Sequence, residues 1–207
     1  VALPPPADST PAVVRAHSQV EPHVFELNPG DRTRSLDLGL LDVGSSIGGR
    51  ASADLDRVVL GESRGCVVCG PAHPLARQRR VTARQLSEHP WVVPRFLEQP
   101  LSPSIDQYPG AIAPRRIGPR IELLQAGVAL AEAGVSLACF PEISIRRELR
   151  AGSLRELSGG PHIPPFELSV FTRRKTAPSP ALEALVREMR ALLVAAPRAR
   201  RRGPASR

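Results

Sequence analysis

Between Ile121 and Gly152 the sequence spells out a helix, a stop, a buried strand and a second helix, an order common in α/β proteins. Ile121, Leu124, Val128 and Ala131 recur at helical spacing and make one apolar face, with Gly134 placed as a left-handed terminator. Val135-Ser136-Leu137-Ala138-Cys139-Phe140 then reads as a short, mostly apolar, buried strand. Pro141 opens the next helix at its first turn, with Ile145 and Leu149 inside and an end near Gly152. Helices interleaved with short strands predict an α/β fold with largely parallel sheets.

The rest of the chain fits the same scheme. Pro4-Pro5-Pro6 is a stiff entry, and Asp8 or Ser9 caps a helix through Val13, Val14 and His17 that carries Pro11 in its first turn and ends before Pro22. His23-Val24-Phe25-Glu26-Leu27 alternates like a strand, Asn28-Pro29-Gly30-Asp31 reads as a turn, and Leu36, Leu38, Leu40 and Leu41 mark a short helix running into a strand at Asp42-Val43-Gly44. A strand pair at 57–60 and 65–69 follows, then a loop over 70–76. Thr82-Ala83-Arg84-Gln85 is a capping box opening a helix that carries Leu86 and stops before Pro90. Trp91-Val92-Val93 is the next strand, and 96–119 is a Pro-, Gly- and Ser-rich connection. Phe166 to Phe171 alternates as a strand, and 180–193 is an amphipathic helix with Leu182, Leu185, Val186, Met189, Leu192 and Leu193 inward.

With 207 residues, 42% of them hydrophobic, the chain can bury one substantial core or two small ones. Its net charge of +8 owes much to the tail residues Arg198, Arg200, Arg201, Arg202 and Arg207, which read as a disordered basic end over 198–207. No aromatic stripe accompanies the cations, so direct nucleic-acid binding is not expected of this chain. An odd count of cysteines (Cys66, Cys69, Cys139) points to a reducing compartment, and no apolar run approaches a membrane span. The expectation is cytoplasmic, without membrane partner or cofactor.

Two chemical motifs invite other readings. Gly44-Ser45-Ser46-Ile47-Gly48 matches G-x-S-x-G, but a nucleophile elbow needs a helix directly after the serine, and Gly48-Gly49-Arg50 is a poor helix start. A serine hydrolase is therefore the least favoured reading, and no catalytic residue is assigned. Cys66-x-x-Cys69-x-x-x-His73 carries zinc-like ligands, yet strand residues three apart point to opposite faces and cannot share one ion without a knuckle turn. All three cysteines read as small buried hydrophobes, and no metal site is assigned. His17, His23, His89 and His162 lack a carboxylate at useful spacing.

Four segments, in this order, resemble the effector-binding domain of LysR-type transcriptional regulators. They are Leu41-Asp42-Val43-Gly44, the run from Cys69 to Ala76 with its His73-Pro74-Leu75-Ala76, the run from Ala126 to Glu142, and Phe166 to Phe171 with the helix after it. The resemblance covers most of the chain. It implies a two-lobed, periplasmic-binding-protein-like (type 2) fold with two crossover strands, lobe one being 1–68 plus 162–197 and lobe two 69–161. It fixes His73 as a structural loop residue. It also implies that the family's DNA-binding domain and the effector domain's first strand lie outside this sequence. The strand at 23–27 and the one near Val43 would then each lack a neighbour, and this polypeptide alone is expected to be poorly stable or to aggregate.

By the same resemblance, the partner is a small, anionic metabolite held between the lobes, the chain forms homo-oligomers, and DNA is reached only through the absent N-terminal domain. Residues placed to meet the ligand are Asp31 and Thr33 after the second strand, Ser45, Ser46 and Ile47 at one strand end, and Pro94, Arg95 and Phe96 at another, with Arg95 suited to pairing with an anion. The alternative is a solute-binding protein of a transport system with the same fold.

Overall fold

The computed structural model describes residues 5–47, 52–94, 115–174 and 179–194. In chain order the elements are α1 (Pro5–Ala16), α2 (Pro29–Asp37), β1 (Val43–Ile47), β2 (Leu55–Ser63), β3 (Gly65–Cys69), α3 (Ala83–Glu88), β4 (Pro90–Pro94), β5 (Arg116–Ile121), α4 (Leu124–Glu132), β6 (Ala138–Pro141), α5 (Arg146–Ala151), β7 (Arg155–Glu156), β8 (Phe166–Arg173) and α6 (Pro180–Val194). The basic tail, Arg95, Phe96 and most of the 96–119 connection lie outside the described residues.

The strands build two separate sheets. The first has the order β1-β8-β2, and the second joins β6-β3-β7 to the pair β4-β5 through a parallel bridge between Trp91 and Leu137. Among the described residues only β4-β5 and that bridge are parallel, and every other pairing is antiparallel. This corrects the expectation of largely parallel sheets. The physical reason is the chain path: β8 returns from the second sheet and enters the first running against both neighbours. The expected strand pair at 57–60 and 65–69 is likewise no pair, because β2 ends in the first sheet and β3 begins in the second. The passage between them is Arg64, held by an ion pair from its Nε to Glu142 Oε2 at 3.2 Å and by a second pair to Glu156.

Local signals decide the second sheet. Thr82 and Gln85 form the capping box, with the Gln85 amide donating to Thr82 Oγ1 at 3.2 Å and Gln85 Oε1 accepting from the Thr82 amide at 2.9 Å. Gly134 and Gly152 end their helices at φ 72° and 76°, where a side chain would be strained. On β3, Cys66 packs with Val92, Val128 and Phe140 under α4, while Cys69 packs with Leu75, Leu86 and Trp91 on the α3 side. The two thiols therefore lie on opposite faces, as their spacing requires, and burial drives the Cys66 thiol up to about 12 and that of Cys69 to about 11.

His73 caps the single turn Pro74–Arg77: its Nδ1 accepts from the Leu75 amide at 3.1 Å, and its ring meets His89 edge-on at 4.6 Å. Burial, and secondarily the charge of His89, hold the His73 imidazole below its ordinary value of 6.5. Folding thus favours the neutral ring, so its contribution is complete above about pH 6.5 and is lost as pH falls toward the lowered value. Urea midpoints are expected to fall on acidification through that range, and to fall less in His73→Asn, whose amide oxygen still accepts from Leu75. Equal acid losses in both proteins would assign the effect to other groups.

The N-terminal part departs most from expectation. Helix α1 begins at Pro5, upstream of Asp8 and Ser9, so Pro11 lies within it and not in its first turn. Asn28-Pro29-Gly30-Asp31 is not a free turn but the start of α2, where Asn28 Oδ1 accepts from the Asp31 amide at 2.9 Å. Residues 23–27 are no strand. Among the described residues no strand lies beside them to take their backbone groups, so alternation alone cannot make them one. Among the described residues β1 is an edge strand paired only with β8. Val24 and Phe25 are 57% and 60% exposed. An apolar extended segment beside an open sheet edge favours association between chains. Residues 1–207 alone are therefore expected to form large particles by light scattering at micromolar concentration, and Phe25→Glu to reduce them. A monodisperse protein with a cooperative thermal transition would defeat this prediction.

Candidate ligand-binding site

The chain forms an open cavity of about 810 Å³. One wall is the extended segment 20–27. The opposite wall is 40–45, leading into the edge of β1. Behind them stand apolar side chains of α1 and α6, including Val13, Leu182, Leu185 and Met189. Leu124 and Gln125, at the start of α4, close the side facing the second sheet. The inward residues of α6 split in their fate: of the three that line the cavity, Met189 is buried and Leu182 and Leu185 are half-buried.

Two contacts tie the halves of the molecule together here. Leu123 caps α4 without a side-chain hydrogen bond, and Glu26 supplies one from across the cavity mouth, its Oε1 accepting from the Leu124 amide at 3.3 Å. A carboxylate there also suits the positive end of the helix dipole. Beside it, Asn28 Nδ2 donates to Glu122 Oε1 at 3.4 Å.

Arg32, on the second turn of α2, forms part of the inner wall. Its relative exposure is 9%. Nη1 donates to the Ser45 carbonyl at 3.4 Å, and the guanidinium carbon sits 4.9 Å from the centre of the Phe171 ring. Burial pushes its pKa down from the ordinary guanidinium value to about 10. Gly44 makes room for it: a Cβ there would meet the arginine stem at 2.8 and 2.9 Å.

The sequence-predicted ligand residues are not gathered at this cavity. Ser45 lines it. Ser46 lies within β1, 6% exposed, and its hydroxyl donates to the Ile47 carbonyl at 3.3 Å. A strand interior is the wrong place for a nucleophile elbow, which must sit on a turn into a helix, so the hydrolase reading fails on geometry. Ile47 packs beside the Phe166–Leu168 core. Asp31 is exposed on the first turn of α2, accepting from Asn28 Nδ2 at 2.7 Å, and Thr33 donates back to the Pro29 carbonyl at 2.9 Å. Pro94 ends β4 half-buried, and Arg95 and Phe96 are outside the described residues. Sequence reading missed Arg32, Glu26 and the start of α4. A signal for Arg32 existed: it lies four residues before the fully buried Leu36 and so shares its helix face.

Comparison with known proteins gives this geometry a context. The family model described as the LysR substrate binding domain matches residues 10–194. The chain belongs to that family. Domains of the LysR substrate-binding family are regulatory and are not enzymes, and their fold is the two-lobed, periplasmic-binding-protein-like type 2. Similar solved structures include the regulatory domain of MetR, a LysR family regulator from N. meningitidis, at 18% identity and a TM-score of 0.63, covering 92% of this chain and 88% of that one. The effector-binding domain of BenM with its effector benzoate gives 16% identity and 0.66, covering 91% and 85%. That of QuiR in complex with shikimate gives 15% and 0.62, covering 89% and 88%. No curated protein sequence matches. Among the described residues of this LysR-family domain, no helix is long and apolar enough to cross a membrane.

Proposed function

We propose that this chain is the effector-sensing part of a cytoplasmic transcriptional regulator, and that a small organic ligand occupies the cavity between 20–27, 40–45 and the start of α4. One observation carries the reading. The cavity has walls from both halves of the molecule, with Ser45 and Leu27 on one side and Leu124 and Gln125 on the other. An occupant touching both halves binds one lobe arrangement better than another, which is the energetic requirement for a ligand to shift a conformational equilibrium. DNA contact belongs to a separate domain of such a regulator, and pairing of chains through lobe one transmits the shift. The family match favours this over a transport protein of the same fold.

Shikimate and benzoate, the ligands of the QuiR and BenM structures, are natural members of a panel of small acids to test. A true effector at one hundred times its dissociation constant is expected to stabilise the fold by about 2.7 kcal/mol, a rise of roughly 5–10 °C in melting temperature. In the full-length regulator, where the chain is not alone, it should also lower the radius of gyration in solution scattering. Ligands that raise the melting temperature and leave that radius unchanged would count against gating by the lobes.

A further inference from the structure

We infer that Glu26 is a clasp between the two halves of the molecule: it caps α4 from the other half and so sets the resting balance between lobe arrangements. That the halves move is the gating reading above, and the second part of the inference rests on it. Helix α4 moves with the second sheet, because Leu124, Val128 and Ala131 pack with Cys66 and Phe140 in one core. Glu26 moves with the first sheet. It lies two residues before Asn28, the cap of α2, and α2 is anchored there by Leu36, which is fully buried with Leu55 and Phe171. The bond from the Leu124 amide to Glu26 Oε1 therefore crosses between the halves and joins residues 98 positions apart. The bond from Asn28 Nδ2 to Glu122 Oε1 crosses beside it.

Capping energy is thereby tied to the arrangement of the halves. The residue in position to cap α4 is Leu123, whose side chain has no acceptor. Among the described residues no arginine or histidine pairs with Glu26, so the start of α4 is its charge partner. When 26 and 124 separate, the Leu124 amide faces water and the positive end of the helix dipole loses its carboxylate. A bond present in one arrangement and absent in another shifts the equilibrium by its own free energy, and an ordinary N-cap is worth about five-fold in that ratio. Glu26 is exposed, so it can be replaced without disturbing a core.

The test is a distance, read by pulsed electron paramagnetic resonance in the full-length regulator without ligand. Spin labels go on Arg34→Cys in α2 and Ala129→Cys in α4, both exposed positions, in a Cys139→Ser background, since Cys66 and Cys69 are buried. Labelled chains are diluted into unlabelled ones, so that each pair of labels lies within one chain. The parent is expected to give one dominant distance. Glu26→Ala is expected to raise the population outside it about five-fold, and Glu26→Gln, which keeps the acceptor and loses the charge, to raise it less. Leu124→Pro removes the amide at the first helical position, where proline fits, and Leu123 before it is already extended at ψ 131°. It is expected to match Glu26→Ala, to be insensitive to a further Glu26→Ala, and to exceed Leu124→Ala, which keeps the amide. A parent without a dominant distance, a distribution unchanged by Glu26→Ala, or equal shifts in Leu124→Pro and Leu124→Ala would overturn the clasp. The two Glu26 variants decide the matter even if Leu124→Pro fails to fold. Benzoate or shikimate that moves the distance in a protein indifferent to Glu26→Ala would sink the clasp and leave effector sensing intact.

Discussion

Gly70→Ala is expected to cost about 3 kcal/mol or more and to lower the melting temperature by at least roughly 6 °C. Gly70 leaves β3 directly under the end of α4, and its amide donates to the Ala131 carbonyl at 2.6 Å. A Cβ at this position would lie 2.6 Å from the Glu132 carbonyl carbon and 2.7 Å from the Ala131 oxygen. These are backbone atoms of a helix, which cannot swing aside as a long side chain would. The methyl group must lift the end of α4 off the sheet. Ala131 sits at 0% exposure in the core shared with Cys66, Val68 and Phe140, so that core opens with it. Circular dichroism melts of parent and variant check the expectation; a change within about 0.5 kcal/mol, as for an ordinary surface substitution, would show that α4 yields freely.

Trp91→Ala is expected to cost about 3–5 kcal/mol. Trp91 is 1% exposed and fills the core between β3 and α3 with Val67, Leu86 and Leu137. Its indole Nε1 donates to the Leu86 carbonyl at 2.9 Å, which fastens the helix end to the strand. The same residue carries the bridge to Leu137 that joins β4-β5 to the rest of the second sheet. Truncation thus leaves a void and an unpaired buried carbonyl together. Trp91→Phe keeps most of the apolar volume and loses the donor, so its cost should be the smaller, about 1–3 kcal/mol. Urea denaturation followed by circular dichroism separates the two, since this chain has a single tryptophan and each variant removes its fluorescence. Similar losses in both would place the energy in the hydrogen bond and not in the packing.

Legibility of the site was uneven for a physical reason. The polar residues near strand ends could be picked out by type, but a hydroxyl's task depends on its neighbours. Thr33 bonds back into its own helix and Ser46 to the next residue's carbonyl, so neither joins the cavity. Glu26 caps a helix that begins nearly a hundred positions later, and nothing local to Glu26 records that meeting.

What the sequence by itself determined is part of the second sheet, namely strands β3 and β4 and several helix ends, whereas β5 falls where the sequence reads as an irregular connection and Pro141 ends β6 instead of opening a helix. The Thr82 capping box, the Gly134 and Gly152 terminators and the opposed faces of Cys66 and Cys69 are consequences of turn chemistry and of strand and helix periods, all set within a few residues. What only the tertiary structure decided is partnership: that β2 and β3 belong to different sheets, that β8 runs against both its neighbours, that 23–27 has no strand to pair with, and that Arg32 ends in a cavity wall. A strand's backbone groups are satisfied only by another strand, and side-chain alternation names a face without naming a neighbour.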